Sequence, residues 1–167
     1  MGEVNLARVD ERLIHGQVMI TLSQRKGVNS IFVVDDVVAK DKFMKDLYKS
    51  AGGRTGQKTI VMTTDKAKFY WDEFKFKDYS AILICKTIDV IYELVKYGIP
   101  MKELNLGGIA QKNSTDKQVT KTVYLNQADA EKLKDLHENF GVEDIYFQST
   151  PSAEKTSLET VLSMFNL

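Results

Sequence analysis

The sequence predicts one α/β domain, an open and mostly parallel sheet of about seven strands, one of them antiparallel or at an edge, with helices on both faces. Short apolar runs typical of strands alternate with stretches in which apolar residues recur at helical spacing. The connections are short, which favours parallel strands joined by right-handed crossovers. A length of 167 residues without an internal repeat or a low-complexity linker indicates a single domain over residues 1–167.

The individual elements follow from the same two patterns. The segments with strand composition are Val4 to Asp10, Ser30 to Val34, Thr59 to Thr63, Ala81 to Cys85, Glu103 to Leu106, Gln118 to Tyr124 and Asp144 to Gln148. The segments with helical spacing are His15 to Arg25, Asp41 to Ala51, Asp65 to Phe74, Ile88 to Tyr97, Ala128 to Phe140 and Lys155 to Phe165. Glycines that suit helix C-termini are Gly27, Gly52-Gly53, Gly98 and Gly141, and residues that suit N-caps are Asp41, Asp65 and Asn126. Only the polar segment 107–117 precedes the sixth strand, which we therefore expect to be antiparallel or at an edge.

Composition narrows the function classes. The chain has 23 Lys plus Arg against 23 Asp plus Glu, so nucleic acid and anionic lipid are not expected as large electrostatic partners, although a local basic pocket is compatible with this balance. One Cys and two His are too few for a disulfide framework or a Cys-rich zinc site. The longest apolar run, Tyr79 to Cys85, is far shorter than the ~20 residues that span a bilayer. With no secretory signal at the N-terminus, we expect a cytoplasmic protein.

The densest group of reactive side chains follows the first strand. Ligands of open parallel sheets bind beyond the carboxyl ends of the strands, where the strand order reverses. The period-two pattern of the strand places Arg8 and Asp10 on one side of its end, and Arg12 follows in the turn before a helix that begins near His15. An Arg offers donors matched to phosphate oxygens, and an Asp can fix the tautomer of a His.

The helix N-terminus adds a second feature. Its unpaired N–H groups, from Gly16, Gln17 and Val18, stabilise an anion beside His15. These are the parts needed to move a phosphoryl group to and from a His. The pattern alone is also compatible with a structural ion pair and an ordinary polar His.

The stretch from Arg8 to Val18, Arg-Val-Asp-Glu-Arg-Leu-Ile-His-Gly-Gln-Val, closely resembles the phosphorylation-site loop of the IIB proteins of the mannose/fructose/sorbose family of the bacterial phosphoenolpyruvate-dependent sugar phosphotransferase system. The similarity extends through the strand end Ile31 to Asp36 and the segment Leu104 to Ile109, and it includes the total length. It implies a mostly parallel sheet. After the last strand, Ser149-Thr150-Pro151-Ser152 departs from many relatives, which have a basic residue and a Val-Pro pair nearby.

The resemblance also implies roles. His15 would accept a phosphoryl group from the phosphohistidine of a separate IIA protein and pass it to a sugar held by the membrane IIC/IID transporter, with which the chain would associate peripherally. Arg12 would hold the phosphate, Asp10 would orient His15, and Arg8 would assist. Neither metal nor cofactor is expected. The sequence leaves open the sugar, the phosphorylated ring nitrogen and whether the chain forms a homo-oligomer. A non-catalytic module that senses a phosphorylated partner is the alternative.

Residues at two other strand ends are further candidates. Asp35 and Asp36 could mimic the acidic pair of a receiver-like signalling domain, but no phosphoacceptor Asp follows the third strand, so a site wall or helix cap is favoured. Gly107 and Gly108 could form a tight turn or let backbone N–H groups approach a phosphate.

The remaining reactive or aromatic side chains have structural interpretations. His137 suits a helix surface or C-terminal cap, and Cys85 suits a buried strand position. The aromatic residues Trp71, Phe74, Phe76 and Tyr79 are expected to pack in the core rather than to bind a sugar.

Overall fold

The computed structural model describes the whole chain, residues 1–167, as a seven-stranded sheet covered by helices on both faces, which confirms the predicted fold class. The strands are β1 (Glu3–Asp10), β2 (Ser30–Val34), β3 (Lys58–Met62), β4 (Ser80–Cys85), β5 (Glu103–Gly108), β6 (Lys117–Gln118), β7 (Tyr124–Leu125), β8 (Asp144–Phe147) and β9 (Thr156–Ser157). The helices are α1 (Gly16–Ser23), α2 (Asp36–Lys40), α3 (Lys42–Gly53), α4 (Thr64–Phe74), α5 (Ile88–Tyr97), α6 (Gln127–Asn139) and α7 (Leu158–Ser163).

The strand order is β3-β2-β4-β1-β5-β8-β9, and every pairing is parallel except that of β9 with β8. After their first residues, Ser30 and Ser80, the strands β2 and β4 are apolar and buried, as expected for strands covered on both sides. Side chains of α1 and α2 pack on one face of the sheet and those of α4 to α7 on the other. Since β1 continues into α1 on one face while its neighbour β5 continues toward α6 on the other, a crevice opens at their carboxyl ends.

The predicted sixth strand, Gln118 to Tyr124, is wrong as a single strand. The segment turns back on itself, because the Val119 and Thr120 N–H groups donate to the Val123 carbonyl over 2.9 and 3.3 Å. The short strands β6 and β7 pair antiparallel outside the main sheet. Val119 and Val123 are both buried, so the turn produces the apolar alternation that resembles a strand.

Four other features differ from the predictions. The antiparallel edge strand is β9, within the predicted helix Lys155 to Phe165, and α7 begins after its N-cap Ser157. The helix α2 has five residues, too few to show a helical period in the sequence. Thr63 rather than Asp65 caps α4, whereas Asp41 and Asn126 are N-caps and Gly98 is a C-cap as predicted. Gly52 and Gly53 lie inside the end of α3 instead of after it.

None of the helices combines the length and the apolar character that a bilayer crossing requires.

Candidate functional site

Asp10 is the centre of a hydrogen-bonded cluster at the carboxyl end of β1. Its side chain is fully buried, and its Oδ2 accepts from Arg8 Nη2 at 2.8 Å and from Arg12 Nη2 at 2.9 Å. His15 Nε2 lies 3.1 Å from the same oxygen. The Arg12 Nε and backbone N–H groups both donate to Asp10 Oδ1 at 3.0 Å. One carboxylate therefore fixes two guanidinium groups and an imidazole.

The loop that carries Arg12 and His15 is anchored by two apolar residues. Leu13 and Ile14 are buried in the core beneath α1, and the Leu13 N–H group donates to the Asp10 carbonyl over 2.9 Å. Leu13 has a positive φ of 57°, a conformation that costs about 1–2 kcal/mol for a residue with a side chain. Burial of the Leu13 side chain offsets this cost and turns the backbone so that Arg12 and His15 both reach Asp10.

His15 is the N-cap residue of α1, but its side chain does not cap the helix because it faces Asp10. Each of the other six helices has a side-chain oxygen that accepts from its first turn. The first-turn N–H groups of α1, including those of Gly16 and Gln17, therefore remain available beside the imidazole. This end of the helix favours an anion.

Arg8 lies behind Asp10 and is 1% exposed. Its Nη1 donates to the Asn105 side-chain oxygen and, over 3.3 Å, to the Gln148 carbonyl; its Nη2 donates to the Ser149 carbonyl over 2.8 Å. Burial lowers the pKa of Arg8, while the charge and hydrogen bond of Asp10 act in the opposite direction. Arg8 is thus placed to hold Asp10, whereas Arg12, with a side chain 53% exposed, can reach a bound anion.

The charges of this cluster favour an anion. Burial would by itself raise the pKa of Asp10, but hydrogen bonds from Arg12 and Arg8 outweigh it, so that the pKa lies below its usual value. Asp10 is consequently ionised at neutral pH. With two guanidinium groups against one carboxylate, the cluster carries a net positive charge even with a neutral His15.

Gly107 and Gly108 provide space for this cluster rather than a tight turn. Both lie in β5 with negative or extended φ values, and a Cβ on Gly107 would stand 2.1 Å from Arg8 Nη2. A Cβ on Gly108 would stand 3.1 Å from Asp10 Oδ1. The glycines therefore let the guanidinium and the carboxylate lie directly against the β5 backbone.

Two cavities flank the cluster. One of about 290 Å³ lies beside Arg12 and is lined also by Glu11, Gly108 and Thr122. Another of about 450 Å³ separates Gln17 on α1 from the loop 150–152.

The segment after β8, Ser149-Thr150-Pro151-Ser152, departs from many relatives in sequence. Its contact with Arg8 does not depend on side chains, since the acceptors are the backbone carbonyls of Gln148 and Ser149.

The other candidates serve the fold. The Asp35 side chain caps α2, and Asp36 Oδ1 accepts from the Thr64 N–H and hydroxyl groups at 2.8 and 3.0 Å, which lowers the pKa of Asp36. Burial raises the pKa of the Cys85 thiol to about 12, so it remains protonated. His137 Nδ1 lies 2.9 Å from the Val142 carbonyl at the end of α6.

Asn105 is the member of the cluster that the sequence did not single out. It is 2% exposed, and its Nδ2 donates to the Gln148 carbonyl over 3.1 Å while its side-chain oxygen accepts from Arg8. A polar residue flanked by leucines in a buried strand is the only sequence signal for it.

We expect Asn105→Ala to destabilise the fold by about 1–3 kcal/mol, because it removes an acceptor from a buried guanidinium. The Arg8 and Asp10 side chains would lose their fixed geometry, and the phosphoryl uptake that the resemblance implies would slow by about tenfold or less. Urea unfolding and the rate of phosphoryl uptake measure the two effects. Asn5→Ala, which removes a half-buried amide far along β1, should leave the rate unchanged; equal slowing by both variants would contradict the role of Asn105.

Comparisons with known proteins identify the family. The model of the PTS system sorbose subfamily IIB component matches residues 4–166. The sorbose-specific EIIB component of Lacticaseibacillus casei is 33% identical over 81% of this chain and 81% of its own length. The mannose-specific EIIAB component of Escherichia coli is 30% identical over 80% of this chain and 41% of its own length.

A solved structure extends this similarity to the fold. The crystal structure of manxB from Thermoanaerobacter tengcongensis superposes with a TM-score of 0.89 at 34% identity, covering 99% of this chain and 98% of that one. The motif around His15, the parallel sheet and the family match agree over nearly the whole chain. The chain therefore belongs to the sorbose-subfamily IIB components of the sugar phosphotransferase system, which are phosphotransferases.

Proposed function

We propose that His15 carries the phosphoryl group in this IIB component and that Nδ1 is the nitrogen that forms the bond to phosphorus. The observation that supports this is the 3.1 Å contact between His15 Nε2 and the buried Asp10. An ionised Asp10 can only accept, so Nε2 bears the proton and the lone pair lies on Nδ1. The imidazole is 23% exposed, which leaves it open to a partner.

Phosphoryl transfer to and from His15 would need no further acid or base on this chain. In the first step the Nδ1 lone pair attacks phosphorus, and the bond from phosphorus to the donor's nitrogen breaks with its electrons going to the donor. In the second step a sugar hydroxyl oxygen attacks phosphorus, the bond to Nδ1 breaks with its electrons returning to Nδ1, and the hydroxyl proton passes to water. Asp10 holds the Nε2 proton throughout, since an imidazole phosphorylated on Nδ1 is stabilised by a carboxylate at Nε2.

Arg12 and the start of α1 would stabilise the transferred group. Arg12 presents an exposed guanidinium, and the free N–H groups of Gly16 and Gln17 lie at the same end of the crevice. Arg8 would act indirectly, by holding Asp10 in position. Phosphoryl transfer depends mainly on positioning and charge neutralisation, which is what these groups provide.

The partners follow from the family. We infer a IIA protein as the donor; the name of the mannose-specific relative, EIIAB, indicates that A and B components occur in one chain there. The acceptor would be a sugar held by a membrane IIC/IID transporter. The chain would then work in the cytoplasm at the surface of that transporter.

Intact mass measurement tests the assignment of His15. After incubation with phosphoenolpyruvate, the general phosphotransferase components and the IIA protein, the chain should gain one acid-labile phosphoryl group. His15→Gln should gain none, while His137→Gln should be labelled like the wild type because His137 faces a backbone carbonyl. Labelling of the His15→Gln variant would refute the assignment. Failure of the wild type to gain the group would favour a non-catalytic module that senses a phosphorylated partner.

Replacing Arg12 should slow transfer while preserving the fold. We expect Arg12→Ala to reduce the rate of phosphoryl uptake by about 10–100-fold, since one charged donor near the phosphate is lost. The Arg12 side chain is 53% exposed, and Asp10 keeps its ion pair with Arg8 in the variant, so the loss should cost no more than about 1 kcal/mol of stability.

Arg25→Ala provides the matched control for Arg12→Ala. Arg25 forms an ion pair with Glu103 at 2.8 Å, away from His15, so its loss should change stability similarly and leave the uptake rate unaltered. Rapid-quench labelling and thermal unfolding give the two quantities. An Arg12→Ala protein that is unfolded at ambient temperature would indicate a purely structural ion pair instead.

A further inference from the structure

A groove of about 650 Å³ lies along the outer side of β3, between α3 and α4. In the strand order, β3 is separated from β1 by two intervening strands, so the groove lies roughly 15 Å from the His15 crevice across the sheet. None of the residues that line it belongs to the cluster around Asp10. The groove is therefore a second concave surface, separate from the phosphoryl-transfer site.

Its rim is strongly positive although the whole chain has zero net charge. Five lysines line the groove and no Asp or Glu does. These lysines are Lys45, Lys49, Lys58, Lys66 and Lys77. None of them forms an ion pair, whereas three lysines elsewhere in the chain do. A cleft lined by one sign of charge concentrates the field and attracts ligands of the opposite charge.

The floor of the groove is aromatic and apolar. Phe69 and Phe74 are about half exposed, at 48% and 49%, and Tyr70 and Tyr79 lie beside them. The Lys66 ammonium stands 5.0 Å from the centre of the Phe69 ring, and that of Lys77 stands 5.2 Å from the Phe74 ring. The prediction that Phe74 packs in the core is therefore wrong, since its side chain is half exposed in this groove, whereas Tyr79 packs against the core and also lines the groove. Apolar side chains of a ligand could bury surface there.

The backbone of β3 supplies the third feature. This strand pairs only with β2, and its other edge has no neighbouring strand. Residues 58–63 all line the groove, so the groove follows the strand edge along its length. The outward N–H and C=O groups of an edge strand form a template on which an extended chain can add as a further strand.

We propose that this groove binds an extended, acidic segment of a partner protein as an additional strand on β3. Carboxylates of the segment would pair with the rim lysines, and its alternate apolar side chains would lie on the aromatic floor. A second copy of this chain meeting the same face would bring two sets of five lysines together, which is unfavourable. A concave groove with an open strand edge suits a polypeptide better than the flat headgroup surface of a membrane.

Fluorescence anisotropy with a labelled synthetic peptide of alternating Glu and Val tests the proposal. We expect saturable binding by the full chain below about 1 mM, weakened by salt, with amide shifts in the NMR spectrum confined to residues 58–63 and the facing sides of α3 and α4. The charge reversal Lys58→Glu with Lys66→Glu should weaken binding at least about tenfold. The control pair Lys26→Glu with Lys134→Glu changes the net charge equally outside the groove and should bind like the wild type.

A second peptide tests strand addition itself. Methylating alternate backbone nitrogens of the Glu-Val peptide removes donors to β3 and should abolish binding. Absence of saturable binding, equal weakening by both pairs of lysine variants, or unchanged affinity of the methylated peptide would each overturn the proposal. It would also fail if the same groove lysines bound anionic phospholipid vesicles and not the peptide. Because the groove variants leave His15 and Arg12 untouched, their phosphoryl uptake should equal that of the wild type.

Discussion

Asp10→Asn should reduce phosphoryl uptake by at least about 100-fold and destabilise the chain by about 3–5 kcal/mol, the largest combined effect we expect of a single substitution. The loss of stability follows from Arg8, which is 1% exposed and would keep its charge without a carboxylate to balance it. Domains of this size are stable by about 5–15 kcal/mol, so from the middle of that range the variant would keep about 5 kcal/mol and fold at ambient temperature.

The loss of rate has a separate cause in the tautomer of His15. The Asn amide group can donate to Nε2, which would move the imidazole proton to Nδ1, the nitrogen that we propose attacks phosphorus. Labelling kinetics and urea unfolding measure the rate and the stability. Asp41→Asn is the matched control, since Asp41 is an N-cap outside the cluster and Asn caps helices as well as Asp does. An Asp10→Asn chain that is labelled at the wild-type rate would refute the orienting role of Asp10.

Acid should narrow the stability difference between wild type and Asp10→Asn. The pKa of Asp10 is lowered in the folded chain, so its ionised form adds stability that is complete above the unfolded value of about 3.9. That contribution declines as the pH falls below this value toward the lower folded pKa. Urea unfolding of both proteins at neutral pH and near pH 3 should show it. A difference that stays constant would mean that the charge of Asp10 does not stabilise the fold.

The sequence predicted the sheet and the reactive loop because both depend on short-range patterns. Arg8 and Asp10 are two residues apart on a strand, and His15 follows at a helix start, so their proximity needs only local geometry. The environment of Arg8 could not be predicted in the same way. Its acceptors at Asn105, Gln148 and Ser149 lie 97 to 141 residues away, and two of them are backbone carbonyls with no side-chain signal.

The errors in the predicted elements of the fold also have specific causes. The helix α2 spans one turn and is defined by the cap at Asp35 rather than by an apolar period. The segment 117–125 has the alternation of a strand because a turn buries Val119 and Val123 together. The sequence suggests a turn or an anion contact at Gly107. It gives no sign that the Arg8 guanidinium occupies the space beside this glycine, because a residue without a side chain does not indicate its neighbour.

Gly107→Ala should destabilise the chain by about 3 kcal/mol, although it adds a single methyl group. That carbon would lie 2.1 Å from Nη2 and 2.3 Å from Cζ of Arg8. The guanidinium cannot swing aside cheaply, since it is buried and bonded to Asp10, Asn105 and two carbonyls. Relieving the overlap must displace β5 or break these bonds, a larger cost than ordinary overpacking of flexible side chains. Phosphoryl uptake should slow as well, because Asp10 moves with Arg8.

Two further glycines and a double-mutant cycle isolate the cause of this loss. Gly53→Ala adds its methyl group at the end of α3 with nothing within 4 Å and should raise stability by up to about 1 kcal/mol, measured by urea unfolding, because Ala favours a helix more than Gly does. Gly108→Ala, whose methyl group would lie 3.1 Å from Asp10 Oδ1, should destabilise the chain less than Gly107→Ala does. In an Arg8→Lys background the slimmer amine leaves room for the methyl group, so Gly107→Ala should cost less there than in the wild type. An equal cost in both backgrounds would place the strain in the β5 backbone instead of at the guanidinium.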